Sequence, residues 1–151
     1  MKRLGRRRFR DERGQELIEF ALVLPLLLLI VLGILDFGFL FQRYEVVTNA
    51  AREGARVRVL PGYTHADAEA RVTQFLAASD LTATPTVPDV PLTAVDIGGK
   101  CMTLATVTVR YPHSYLFLGP LITFFSGGAF TRTELSATTT MRYEGPALAC
   151  P

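Results

Sequence analysis

The chain has 151 residues, 49% of them hydrophobic and 20% charged, with a formal net charge of +2 and two cysteines. That length holds one membrane helix and one small domain, not two full domains. Residues 1–14 carry Lys2, Arg3, Arg6, Arg7, Arg8, Arg10 and Arg13 against Asp11 and Glu12, a net +5 that leaves −3 on the remainder. A basic arm beside an apolar span follows the positive-inside rule, so the charge calls for no nucleic acid.

The apolar run comes next. No residue between Glu19 and Asp36 is charged, and Leu17 to Phe41 reaches the roughly 20 residues that a bilayer core needs. Its leucines favour both helix and membrane. Pro25 sits inside it, which lipid-embedded helices tolerate, and a kink is expected there. A cleaved secretory signal fits less well, because the apolar core is longer than the usual 7–15 residues or so and no small-x-small site follows it. The leader is therefore residues 1–14, and the span is residues 15–41. Asp36, near the outer edge of the span, reads either as a partner for another helix or as a marker of the water interface.

Helical character continues through Gln42 to Leu60 and ends at Pro61-Gly62. Tyr44, Val47, Ala51, Gly54, Ala55 and Arg58 fall on one mostly small stripe, which allows close approach by a sheet or a second helix. Thr64 and Asp67 have capping-box spacing, with Asp67 to Ala78 as a short helix. Pro85, Pro88 and Pro91 make Thr84 to Pro91 a loop or edge segment. Strands are expected at about 92–97, 103–111 and 131–143, with a Gly98-Gly99 turn. The fold class is α+β: a long amino-terminal helix, transmembrane then amphipathic, packed on a small antiparallel sheet. Residues 42–151 form the outer domain.

Between the two long strands lies SYLFLGPLITFF (Ser114 to Phe125), uncharged, too short to span a membrane and broken by Gly119-Pro120. It is read as a loop, either folded over the sheet as core or exposing Phe117, Leu118, Phe124 and Phe125 to lipid or a neighbouring subunit. Cys101 and Cys150 allow one intramolecular pairing, and both a disulfide and two free thiols remain open. His65, Asp67 and Glu69 supply too few ligands on one face for a metal site. His113 follows Pro112 without an evident catalytic companion. No nucleophile elbow, phosphate loop or Cys-x-x-Cys is present. No enzyme, cofactor or metal is expected.

Two segments, RGQELIEFALVLPLLLLIVLGILDFG (Arg13 to Gly38) and VVTNAAREGARV (Val46 to Val57), resemble the TadE-like family, pseudopilins of the tight-adherence (Flp-type) pilus system. SATTTMRYEG (Ser136 to Gly145) is a weaker echo of the closing strand. The resemblance implies a pilin-like protein of the bacterial inner membrane, with a cytoplasmic amino terminus and an extracytoplasmic carboxyl-terminal domain. It implies cleavage between Gly14 and Gln15 by a prepilin peptidase, which makes Glu19, followed by Phe20, the fifth mature residue. A carboxylate at membrane depth costs about 2.5–3.5 kcal/mol or more unless paired, and the new α-amine of a neighbouring subunit is a suitable partner. The partners implied are other pilins or pseudopilins, the peptidase, the inner-membrane assembly platform and lipid. The alternative is a permanently anchored interaction module that is never cleaved.

Overall fold

One helix, α1 (Asp11–Arg58, 48 residues), sets the long axis of the molecule, about 70 Å at 1.5 Å per residue. The structure, a computed structural model, describes residues 11–126 and 132–150, so most of the basic leader and the start of the last expected strand, Thr131, lie outside the described residues. α1 runs unbroken through Pro25, whose missing N–H leaves the Ala21 carbonyl without its helical partner. The most apolar stretch of α1 is not buried by any other of the described residues. Its length and composition fit a single-pass membrane anchor.

Helix α2 (His65–Ala78) starts two residues before the expected Asp67. Thr64 is its N-cap and Asp67 its third residue, so the capping box places His65 and Ala66 inside the first turn. The helix ends at Ser79, and Asp80 takes a left-handed φ of 59° to turn the chain. Three antiparallel strands follow, β1 (Thr93–Ile97), β2 (Lys100–Ser114) and β3 (Arg132–Arg142), ordered β1-β2-β3. Gly98 and Gly99 close the first hairpin at φ 64° and 80°, the two left-handed conformations that such a two-residue turn demands.

β2 extends past the expected end at Tyr111, through Pro112 to Ser114. The reason lies in the direction of its donors. The Arg110 N–H and carbonyl both bond Thr86, on the side away from β3. Pro112, two residues on, faces the same way, so its missing N–H removes no bond to β3.

The inward face of β2 carries Thr103, Ala105, Val107, Val109, Tyr111 and His113, all buried. The outward face carries threonines whose hydroxyls bond across to β3, Thr106 to Thr140 at 3.0 Å and Thr108 to Thr138 at 2.9 Å. Val47, Ala50, Ala51 and Ala55 of α1 meet that inward face together with Val72 and Leu76 of α2. At Gly54 a β-carbon would lie 2.6 Å from Val72 Cγ2 and 3.3 Å from Val107 Cγ1, so the small stripe seats the sheet and α2 at once. Tyr44, expected on that stripe, is exposed instead. Below Val47 the packed face continues at three- and four-residue steps through Arg43, Leu40 and Asp36, which carries it away from Tyr44.

The uncharged segment after β2 is a helix, α3 (Leu118–Ser126), not the expected loop. Gly119-Pro120 does not break it, because Pro120 falls in the first turn, where N–H groups have no intrahelical acceptor. At the carboxyl end Cys101 and Cys150 form a disulfide with Cα atoms 5.7 Å apart. The Leu148 N–H donates to Thr103 Oγ1 at 2.8 Å and the Glu144 N–H to the Val59 carbonyl at 2.9 Å, which ties the tail to β2 and to the top of α1.

Candidate functional site

The chemistry concentrates where α1 leaves its apolar run. Asp36 lies one and a half turns before Phe41, about 8 Å along the helix. It is 1% exposed, so it does not mark a wet interface, and the helix that it contacts is α3 of the same chain. Its Oδ1 accepts the Leu116 and Phe117 N–H groups at 2.9 and 3.2 Å, and its Oδ2 accepts those of Phe117 and Leu118 at 3.0 and 2.6 Å. These are the free donors at the amino terminus of α3. A carboxylate there satisfies them and opposes the positive end of the helix dipole. At membrane depth no water would do so, and each unmet donor would cost several kcal/mol. Leu118 Cδ1 also rests 4.0 Å from where a Gly33 β-carbon would be, so α3 lies against the apolar part of α1.

Two turns further along α1, Arg43 meets His113, which is 2% exposed at the end of β2, Nη1 to Nδ1 at 3.3 Å. A guanidinium only donates, so Nδ1 accepts and Nε2 carries the hydrogen. Burial pushes the imidazole pKa below its usual 6.5, the Arg43 charge adds to that, and the Asp36 carboxylate pulls the other way. The buried Nε2–H has no hydrogen-bond acceptor among the described residues. The ring stands edge-on to Tyr115, with centroids 5.3 Å apart. Asp36, Phe39, Arg43, His113, Tyr115 and Pro120 line a cavity of about 230 Å³.

The residues singled out in the sequence fall into separate places. Gly14 is within α1, three residues from its start, with nothing packed on it. Gln15, Glu19 and Phe20 are exposed on the same helix, and Glu19 forms no ion pair among the described residues. Phe124 is 83% exposed, Leu116 63% and Phe117 37%, while Leu118 is half-buried against α1; the side chain of Phe125 lies outside the described residues. His65 bonds the Val87 carbonyl at 3.0 Å rather than meeting Glu69. Asp67 is held below the usual carboxylate range by the Thr64 backbone N–H and hydroxyl.

Sequence reasoning missed the Asp36–α3 cap and the Arg43–His113 pair. Both join residues 70 or more positions apart. The one local signal was a charge inside a run that otherwise has none. Residues 14–56 match the family described as TadE-like protein. Comparison with curated proteins and with solved structures gives no match.

Proposed function

We propose, on the premise that residues 14–56 are TadE-like, that this chain is a minor pilin or pseudopilin of a tight-adherence pilus or a related secretion apparatus. Its role is structural and not enzymic. The carrying observation is the exposed amino-terminal half of α1, where Glu19, the last carboxylate before the apolar run, forms no ion pair among the described residues and the most apolar stretch is left uncovered by them. A carboxylate in that setting calls for a cation from outside the chain. A prepilin peptidase cutting after Gly14 would create one, the α-amine of Gln15, on each neighbouring subunit. Glycine weakens a helix by about 1 kcal/mol relative to alanine, and Gly14 is in the first turn with no packing, so the segment opens readily to a protease.

The basic leader stays on the cytoplasmic side of the bacterial inner membrane, and residues 42–151 project outward. The Cys101–Cys150 disulfide suits that oxidising side. Assembled, the chain contacts other pilins and the inner-membrane platform through α1 and the exposed aromatic face at Phe117 and Phe124. The competing reading is an uncleaved anchor, favoured by the continuity of α1 across Gly14. Amino-terminal sequencing of protein from native membranes separates them. Mature chains should begin at Gln15, and intact leader in cells with an active prepilin peptidase would defeat the pseudopilin reading.

A further inference from the structure

We propose that α3 is seated in lipid: in the membrane-resident subunit it lies in the outer leaflet beside α1, and acyl chains cover its exposed apolar surface. The first observation is depth. Asp36 holds the Leu116, Phe117 and Leu118 N–H groups, and Leu118 Cδ1 lies 4.0 Å from where a Gly33 β-carbon would be. Asp36 and Gly33 precede Phe41, the end of the apolar run, by about 8 and 12 Å along the helix. The hydrocarbon of one leaflet is about 15 Å deep, so α3 begins inside it. At those levels α1 itself exposes Ile34 and Phe37, so the apolar surface of α3 shares its depth with that of the span.

The second observation is the chemistry of the surface. No residue from Ser114 to Thr131 is charged. Leu116, Phe117, Pro120, Thr123 and Phe124 are exposed, and only Thr123 among them has a polar side chain. Its hydroxyl turns back to donate to the Gly119 carbonyl at 2.7 Å. The Asp36 carboxylate meets the N–H groups that lead into the helix, and Pro120 has none to meet. Hydrocarbon demands this arrangement, since polar groups at that depth must find partners within the protein. A protein partner would call for a polar rim around an apolar centre, and these exposed side chains offer no such rim. The inference rests on α1 as a membrane span and is independent of cleavage or assembly.

The chain has no tryptophan, so Phe124→Trp supplies a single fluorescent reporter. The full, uncleaved variant is placed in phosphatidylcholine nanodiscs, one chain to a disc. Its emission is challenged with lipids brominated on their acyl chains and, separately, with acrylamide in the water. Phe124→Trp should lose emission to the brominated lipid as strongly as Phe37→Trp on α1, and should resist acrylamide. Tyr63→Trp, just beyond the end of α1, should show the reverse. Leu116→Trp, a second exposed position on the same surface, should repeat the Phe124→Trp result and serves where that variant disturbs folding. Quenching by acrylamide alone at both reporters puts the surface in water, as an interface for a protein partner would be, and overturns the lipid assignment. Resistance to both quenchers places the surface inside the chain's own fold and overturns it too. Loss of bromolipid quenching at Phe37 as well removes the span and the inference with it. Failure at Phe124 and Leu116 alone leaves the span, the mature amino terminus and the pseudopilin reading untouched.

Discussion

His113 shows how one buried group makes stability depend on pH. The unfolded chain takes up a proton near 6.5, and the folded chain does so only at lower pH because burial and Arg43 disfavour the imidazolium. Between those points the unfolded state binds more protons, so stability falls as pH falls. Thermal unfolding of the full chain in detergent should therefore shift downward from about pH 7.5 to about pH 5.5, and His113→Gln should flatten that slope. An equal slope in the variant would place the titration elsewhere. Asp36 gives a second expectation at this scale. Asp36→Ala strands the N–H groups of Leu116, Phe117 and Leu118, and losing an N-cap costs about 0.5–2 kcal/mol even in water. Amide exchange should accelerate across α3 and remain slow in β2 and β3, with Asp36→Asn intermediate; unchanged protection in α3 would mean that the cap does not hold it. The charge at Asp36 was legible in the sequence as a position. Its partners were not, because no local pattern points from residue 36 to residues 116–118.

Among the elements, α1, α2, the hairpin turn and β3 were readable because each obeys a local rule: an apolar run, a capping box, two consecutive glycines, a period-two alternation. α3 and the full length of β2 were not readable, for a shared reason. A proline read locally signals a break, yet Pro120 sits in a first turn and Pro112 faces away from its paired strand, and only the three-dimensional arrangement decides either case. The meeting of α1, α2 and the sheet at Gly54 is open to direct test. Gly54→Leu drives atoms into Val72 and Val107, and overpacking of this kind costs about 1–3 kcal/mol. The full chain in detergent should unfold at a lower temperature, and an unchanged midpoint would show that α2 swings aside without cost.

Across the whole molecule two features join parts that lie far apart. On the proposed pseudopilin reading Glu19 pairs with a neighbouring subunit, so Glu19→Ala should leave membrane insertion intact or improved and reduce pilus assembly or self-association. Assembly equal to that of the parent would end the charge-pairing account. The disulfide looks inward, closing a loop of 49 residues that contains β2, α3 and β3. In the chain-entropy view such a link contributes about 4 kcal/mol, so reduction should lower the unfolding temperature and loosen the tail from Thr103 and Val59 first. The Asp36 cap has a mechanical consequence as well. It fastens α3 to α1 at one level, like a collar pinned to a shaft. On the proposed pseudopilin reading, a force that draws α1 outward along its axis would carry the exposed Leu116 and Phe124 with it in the same stroke, and their apolar surface would resist leaving lipid until a neighbouring subunit covers it. On that same reading, the collar would couple the height of the subunit to the presence of its neighbour, so that withdrawal from the membrane and joining a filament become one event.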